Sequence, residues 1–332
     1  MPESTNKSSM RENYQQSRFK STHLFGAVAI LLISILSASY IPQYFFDLVK
    51  SYMLPKSSVA LPPLLEADQL NKILEKKNFH QNYRVIEAFF SDKFHENFDQ
   101  EHIPQAIYFD TLHGADSNEY IPKNIPSQEK FEEYVGSLGI SNDHHVIIYD
   151  RSDNGFLVSG RAWFLFKLFG HDKVSILNGG MNYWKNSKFD TTKDSFYPAK
   201  AEFKTNFNKN MIRSFEQIQN NVKTKEMVII DSREAESFNK VHPESGINEH
   251  IPNSINIPYS SLFDAKQNLL KNPSELKKLF ENNDIDLERP MIIGCMFGVR
   301  SCTTVFAAYL SGAKSFSLYL GSWNEYHQKI KQ

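Results

Sequence analysis

Cysteine is nearly absent: the 332 residues contain two, Cys295 and Cys302. Two thiols exclude a disulfide-dense scaffold and any four-cysteine zinc site. Excess charge is absent too, with 37 Lys and Arg against 38 Asp and Glu. That balance excludes a nucleic-acid binder held by bulk charge. Beyond residue 46 no N-x-[ST] acceptor occurs, Asn272 being disqualified by Pro273; this argues against a secretory lumen. No Gly-rich phosphate loop and no Ser-His-Asp order stands out. His144, His145 and His171 have no Cys or acid at metal spacing, so neither metal nor cofactor is expected. Large apolar side chains are plentiful. Hydrophobic residues make up 41% and 26 are Phe, which excludes wholesale disorder and supplies the cores of about two domains.

One further absence is local. Between Ser21 and Phe46 there is no Lys, Arg, Asp or Glu. The most apolar part, Leu24 to Ile41, is 18 residues long, about 27 Å as a helix and just enough for a bilayer core. Residues 1–22 read as a polar tail, 23–46 as a transmembrane anchor, and 47–65 as a linker with Pro55, Pro62 and Pro63. Arg11, Arg18 and Lys20 precede the span, which would keep the N-terminus cytoplasmic and carry the bulk of the chain across a membrane. The competing readings are a buried core helix, a signal peptide cleaved near Ser37, Ala38 and Ser39, and a mitochondrial targeting region.

The remainder is a tandem repeat. His102-Ile103-Pro104 recurs as His250-Ile251-Pro252. The run 146–149 ends before Asp150, as 291–294 ends before Cys295, and 179–184 matches 321–326. Such a period is too long for a solenoid and fits a duplicated domain, with copies over 66–190 and 211–330 and a linker over 191–210. Strand candidates are Arg84–Glu87, Val146–Tyr149 and Val174–Leu177, then Met227–Ile230, Met291–Gly294 and Ser315–Leu318. Helix candidates are Gln128–Leu138 and Gly160–Phe169, then Pro273–Glu281 and Ser301–Leu310. This alternation predicts an α/β fold, each copy a mostly parallel sheet with helices on both faces. Ligands bind such sheets beyond the carboxyl ends of strands, where Asp150 and Cys295 fall. Trp163, Trp184 and Trp323 sit in apolar helical context and are expected in the core, and His102 and His250 in turn or capping roles.

The chemistry concentrates at Cys295. The strand ending at Gly294 delivers the thiol to a loop, Met296, Phe297, Gly298, Val299 and Arg300, and a helix opens at Ser301. A loop leading into a helix N-terminus aims backbone N–H groups inward as an anion nest, which favours thiolate and could hold a persulfide sulfur. The plain alternative is a small buried apolar side chain. Cys302, seven residues after Cys295 and on the helix that follows the loop, reads as packing.

These motifs resemble the two-domain rhodanese-type sulfurtransferases, of the thiosulfate and 3-mercaptopyruvate group. The resemblance runs from about residue 66 to 328. It rests on 147–155, 170–184, 230–233, 250–258, 295–301 and 321–326. It implies two rhodanese modules, the first non-catalytic because Asp150 cannot carry sulfur, the second carrying a persulfide on Cys295. It implies a small sulfur donor and a thiol or cyanide-like acceptor as partners, and no nucleic acid. It makes the mitochondrion the expected compartment, with a secretory-pathway membrane as the alternative. Asp231 and Arg233 match a strand-end pair that would brace the active loop.

The departures are as telling. The family loops read C-G-S-G or C-R-K-G, whereas this chain has Met296 and Phe297 between Cys295 and Gly298. The family's carboxylate-binding arginine falls at Ser237, and a second has no counterpart in 242–246. Acid and histidine positions of the first module fall on Leu112 and Glu119, with His113 as a candidate substitute. Arg300 instead resembles single-domain rhodaneses. A phosphatase of related fold is the minor alternative, but its loop would be C-x5-R where this one is C-x4-R. A membrane-tethered module that binds partners with weak or no turnover is the other.

Overall fold

Short apolar runs buried on both faces are the mark of a parallel sheet covered by helices, and the chain forms two of them. The structure, a computed structural model, describes residues 61–331 except 92, 94, 242 and 244–248. The tail, the anchor over 23–46 and the linker up to residue 60 lie outside the described residues. Among the described residues no helix is long and apolar enough to cross a membrane.

The first sheet comprises β1 (Leu64–Leu65), β2 (Tyr83–Phe89), β3 (Ala106–Asp110), β4 (His145–Tyr149) and β5 (Val174–Leu177). Its order is β1-β5-β4-β2-β3, all parallel. Its longer helices are α1 (Ala67–Leu74), α2 (Gln128–Ser137), α3 (Ser159–Leu168) and α4 (Gly180–Asn186). The second sheet repeats the plan with β6 (Ile212–Arg213), β7 (Val228–Asp231), β8 (Ser254–Asn256), β9 (Met291–Gly294) and β10 (Phe316–Tyr319) in the order β6-β10-β9-β7-β8. Its longer helices are α5 (Phe215–Thr224), α6 (Pro273–Glu281), α7 (Arg300–Leu310) and α8 (Ser322–Lys329). Leu64 and Leu65, assigned by sequence to the linker, are instead an edge strand. They pair with Ile176 and Leu177, because two leucines beside an open strand gain both a ladder and burial.

The period-2 pattern sorts the cores. In β4, Val146 and Ile148 face one cluster while Ile147 and Tyr149 face another. In β9, Met291 and Ile293 face the first of these clusters, and Ile292 a third behind the second sheet. The first cluster is continuous through both modules, running from Phe109 and Trp163 to Phe306. There α3 packs on α7. Gly160 makes the approach close: a β-carbon on it would lie 2.4 Å from the Thr303 hydroxyl. All three tryptophans are buried, as expected.

The two His-Ile-Pro motifs do the same job. His102 Nδ1 bonds the Phe98 carbonyl at 2.7 Å, and His250 Nδ1 bonds that of Phe238 at 2.8 Å. Each ring also stacks on that phenylalanine. The histidine thus secures the carbonyl of a short helix before the chain turns into β3 or β8.

Candidate active site

The buried strand β9 ends at Gly294 and places Cys295 at the carboxyl edge of the second sheet, 4% exposed. Its backbone is held on both sides. Its N–H donates to Ser322 Oγ at 3.0 Å, and its carbonyl accepts from the Trp323 N–H at 3.0 Å. The Met296 carbonyl accepts from the Asn324 N–H at 3.1 Å. The first turn of α8 therefore fixes the start of the loop. Gly298 fixes its bend: φ is +74°, and a β-carbon there would lie 2.6 Å from the Leu320 carbonyl oxygen. Only glycine tolerates both conditions.

The side chains then sort by depth. Met296 is half-buried against the cluster behind the second sheet. Phe297, at the loop tip, is 42% exposed. Val299 is half-buried and Arg300 exposed, its guanidinium carbon 5.5 Å from the centre of the Tyr259 ring. Ser301 is fully buried and donates its hydroxyl to Cys295 Sγ at 3.4 Å. Cys302 is buried as well and donates its thiol to the Gly298 carbonyl at 3.2 Å. Burial pushes the Cys302 thiol up to about 12, although the Arg161 guanidinium nearby works against it. A thiol that stays protonated is a packing group and a brace for the loop.

Asp231 and Arg233 stand beside this loop. They form a buried pair, Nη2 to Oδ2 at 2.7 Å and Nε to both carboxylate oxygens at 3.0 and 3.1 Å. Arg233 also donates to the Glu249 carbonyl at 2.8 Å, and its guanidinium carbon lies 5.2 Å from the centre of the Trp323 ring. The pair thus backs the residue whose N–H holds the Cys295 carbonyl. From the first module, the Glu119 and Tyr120 carbonyls accept from Asn324 Nδ2 at 3.3 and 2.9 Å. His113 is elsewhere: it stacks on Tyr134 at 4.0 Å and lines a cavity of about 270 Å³ with His95 and Tyr108. Of 242–246, where no second arginine was found, only Pro243 is described. Among the described residues no cluster of three or more His, Cys, Asp or Glu could hold a metal.

The corresponding loop of the first module is differently filled. Asp150 follows β4 and is 1% exposed. Its carboxylate accepts from Ser152 N and Oγ at 2.8 and 2.5 Å, and from the Val158 and Ser159 N–H groups at 2.6 and 2.7 Å. Sequence reading missed Ser322, Tyr259 and Asn154. The 321–326 motif held the signal for the first; Asn154 lies within 147–155 and Tyr259 directly follows 250–258, but nothing in either motif pointed to their contact.

The family described as the rhodanese-like domain matches residues 66–187 and 214–329. The thiosulfate sulfurtransferase of Mus musculus is 35% identical over 238 residues, 70% of this chain and 80% of the relative. The 3-mercaptopyruvate sulfurtransferase of Homo sapiens is 35% identical over 237 residues with the same coverage. Among solved structures, SseA from Escherichia coli, described as a 3-mercaptopyruvate sulfotransferase of rhodanese fold, is similar with a TM-score of 0.67 and 26% identity. The match covers 79% of this chain and 99% of that one.

Proposed function

The chain belongs to the rhodanese-like family, and from that premise we propose that it is a sulfurtransferase carrying sulfane sulfur on Cys295. The observation that carries the reading is Cys295 itself, a thiol at a strand end with the Ser301 hydroxyl directed at its sulfur. In the first half-reaction the Cys295 thiolate attacks the transferable sulfur of a donor of the thiosulfate or 3-mercaptopyruvate class. A sulfur–sulfur bond forms, the donor's bond to that sulfur breaks, and its electron pair leaves with the sulfite or enolpyruvate fragment. In the second, an acceptor thiolate or cyanide attacks the outer sulfur, and Cys295 leaves as thiolate. Atoms and charge balance without a cofactor.

The roles divide along the loop. Ser301 holds the sulfur in line. Gly298, Val299 and the start of α7 line the space for the outer sulfur. Arg300 offers a charge to an anionic donor, and Asp231 with Arg233 braces the loop through Trp323. The exposed Phe297 favours an acceptor or donor with an apolar surface, such as a protein thiol. Residues 23–46 would tether the enzyme to a membrane, with the mitochondrion as the proposed compartment; protease protection of the C-terminus in isolated organelles tests this. The chemistry is tested by intact-mass analysis after incubation with a donor panel. One added sulfur atom on Cys295, absent in Cys295→Ser, is expected. No adduct with any donor would sink the proposal.

A further inference from the structure

Arg300 opens α7 with an exposed side chain, and among the described residues it makes no ion pair. A long side chain left to solvent spreads its charge over many rotamers. This one has a seat. Its guanidinium lies over the Tyr259 ring, 5.5 Å from the ring centre, a cation–π distance. Tyr259 is itself only 7% exposed, and its backbone N–H donates to the Ser232 carbonyl at 3.1 Å. Its hydroxyl crosses to the other module and donates to Asn154 Oδ1 at 2.9 Å. Burial and the nearby Asp150 hold the phenol well above the ordinary tyrosine range, so the group remains a donor.

Asn154 is also prepared for this role. Its Oδ1 accepts from the Phe156 N–H at 3.1 Å, which orients the amide. It sits in the 150–159 loop, tied shut by the four bonds to Asp150. The Phe156 carbonyl in that loop accepts from Thr303 Oγ1, on α7, at 2.8 Å. The closed loop of the first module therefore touches both the helix that carries Arg300 and the ring beneath its guanidinium.

We propose that Asn154 and Tyr259 are positioning residues for the sulfur-transfer site, seating Arg300 at the mouth of the Cys295 loop so that anionic donors are favoured over neutral ones. The proposal rests on the sulfurtransferase reading, but its test does not. In the full chain, Cys295 is alkylated with iodoacetate, an anion, and with iodoacetamide, its neutral counterpart, and the ratio of rates is read by peptide mass. Arg300→Gln lowers the ratio roughly three- to fivefold, the effect of losing one partly screened charge. Asn154→Ala and Tyr259→Phe, which keeps the ring, each lower it in the same direction. Asn154→Ala added to Arg300→Gln lowers it no further. The iodoacetamide rate stays within about twofold throughout, which a collapsed loop would not allow. Wild-type ratios in Asn154→Ala and Tyr259→Phe, or no effect of Arg300→Gln, overturn the proposal. With thiosulfate, the same variants raise KM for sulfur loading by a larger factor than they lower the saturated rate. A wild-type protein that loads no sulfur refutes the enzyme reading, while the alkylation ratios still decide the seat.

Discussion

The two modules share a strand order, a His-Ile-Pro hinge and a loop glycine at nearly the same angle, φ +73° at Gly155 and +74° at Gly298. They differ in what ends the strand. In the first, the Asp150 carboxylate consumes the N–H groups of Ser152, Val158 and Ser159. In the second, Cys295 takes a single hydroxyl from Ser301 onto its sulfur. A loop whose donors are already satisfied from within is a clamp, and one that leaves room for an added atom can act on a substrate. The same scaffold is used twice, and under the proposed reading activity goes with the loop whose backbone donors are not taken up by its own strand-end side chain.

Exchanging the strand-end residues should break this contrast most sharply. Cys295→Ser abolishes sulfur loading altogether. Asp150→Cys in that background does not restore it, because position 150 is enclosed by its own loop and by Gly180, where even a β-carbon would lie 2.2 Å from the Asp150 carbonyl. Intact mass with thiosulfate checks both, and loading at position 150 would show that the first nest is open.

Stability should show the next largest effect. Asp150→Ala strands several buried donors and should cost about 2–4 kcal/mol in urea unfolding. Ser301→Ala deletes one hydroxyl bonded to sulfur and should cost less than about 1 kcal/mol while slowing sulfur loading. Equal costs would mean that the two loops are not filled differently.

Acid should single out the first module. Burial pushes His144, His145 and His171 each down to about 4 from 6.5. The unfolded chain therefore binds more protons between those values, and stability falls as pH drops through that window and levels off below it. Acid unfolding near pH 5 should be accompanied by uptake of as many as about three protons onto these histidines. An unchanged unfolding midpoint between pH 7 and 4.5 would refute this.

The smallest effect belongs to Cys302. Cys302→Ser keeps a donor for the Gly298 carbonyl and should change stability by less than about 1.5 kcal/mol, with sulfur loading on Cys295 retained. Loss of loading would give Cys302 a part in the chemistry.

Much of this was legible beforehand for a physical reason. The strands β4, β5 and β9 are buried on both faces, so their apolar runs stand out without reference to partners. β1, β6 and β8 are two or three residues long and exist only because a neighbour offers a ladder, so no local pattern announces them. Cys295 was legible because cysteine is scarce here and a glycine-bearing loop follows it. Tyr259 and Asn154 lie 105 residues apart, and a hydrogen bond at that separation is set by module packing, which leaves no local trace.

The apolar cluster shared by the modules has a consequence for synthesis. Trp163 and Phe156 on the first module are covered by Phe306 of α7, which leaves the ribosome roughly 140 residues later. At 5–20 residues per second, that interval is roughly 7 to 30 s. The first module therefore waits with an aromatic face uncovered, and newly made chains should need shielding from one another until translation is nearly complete.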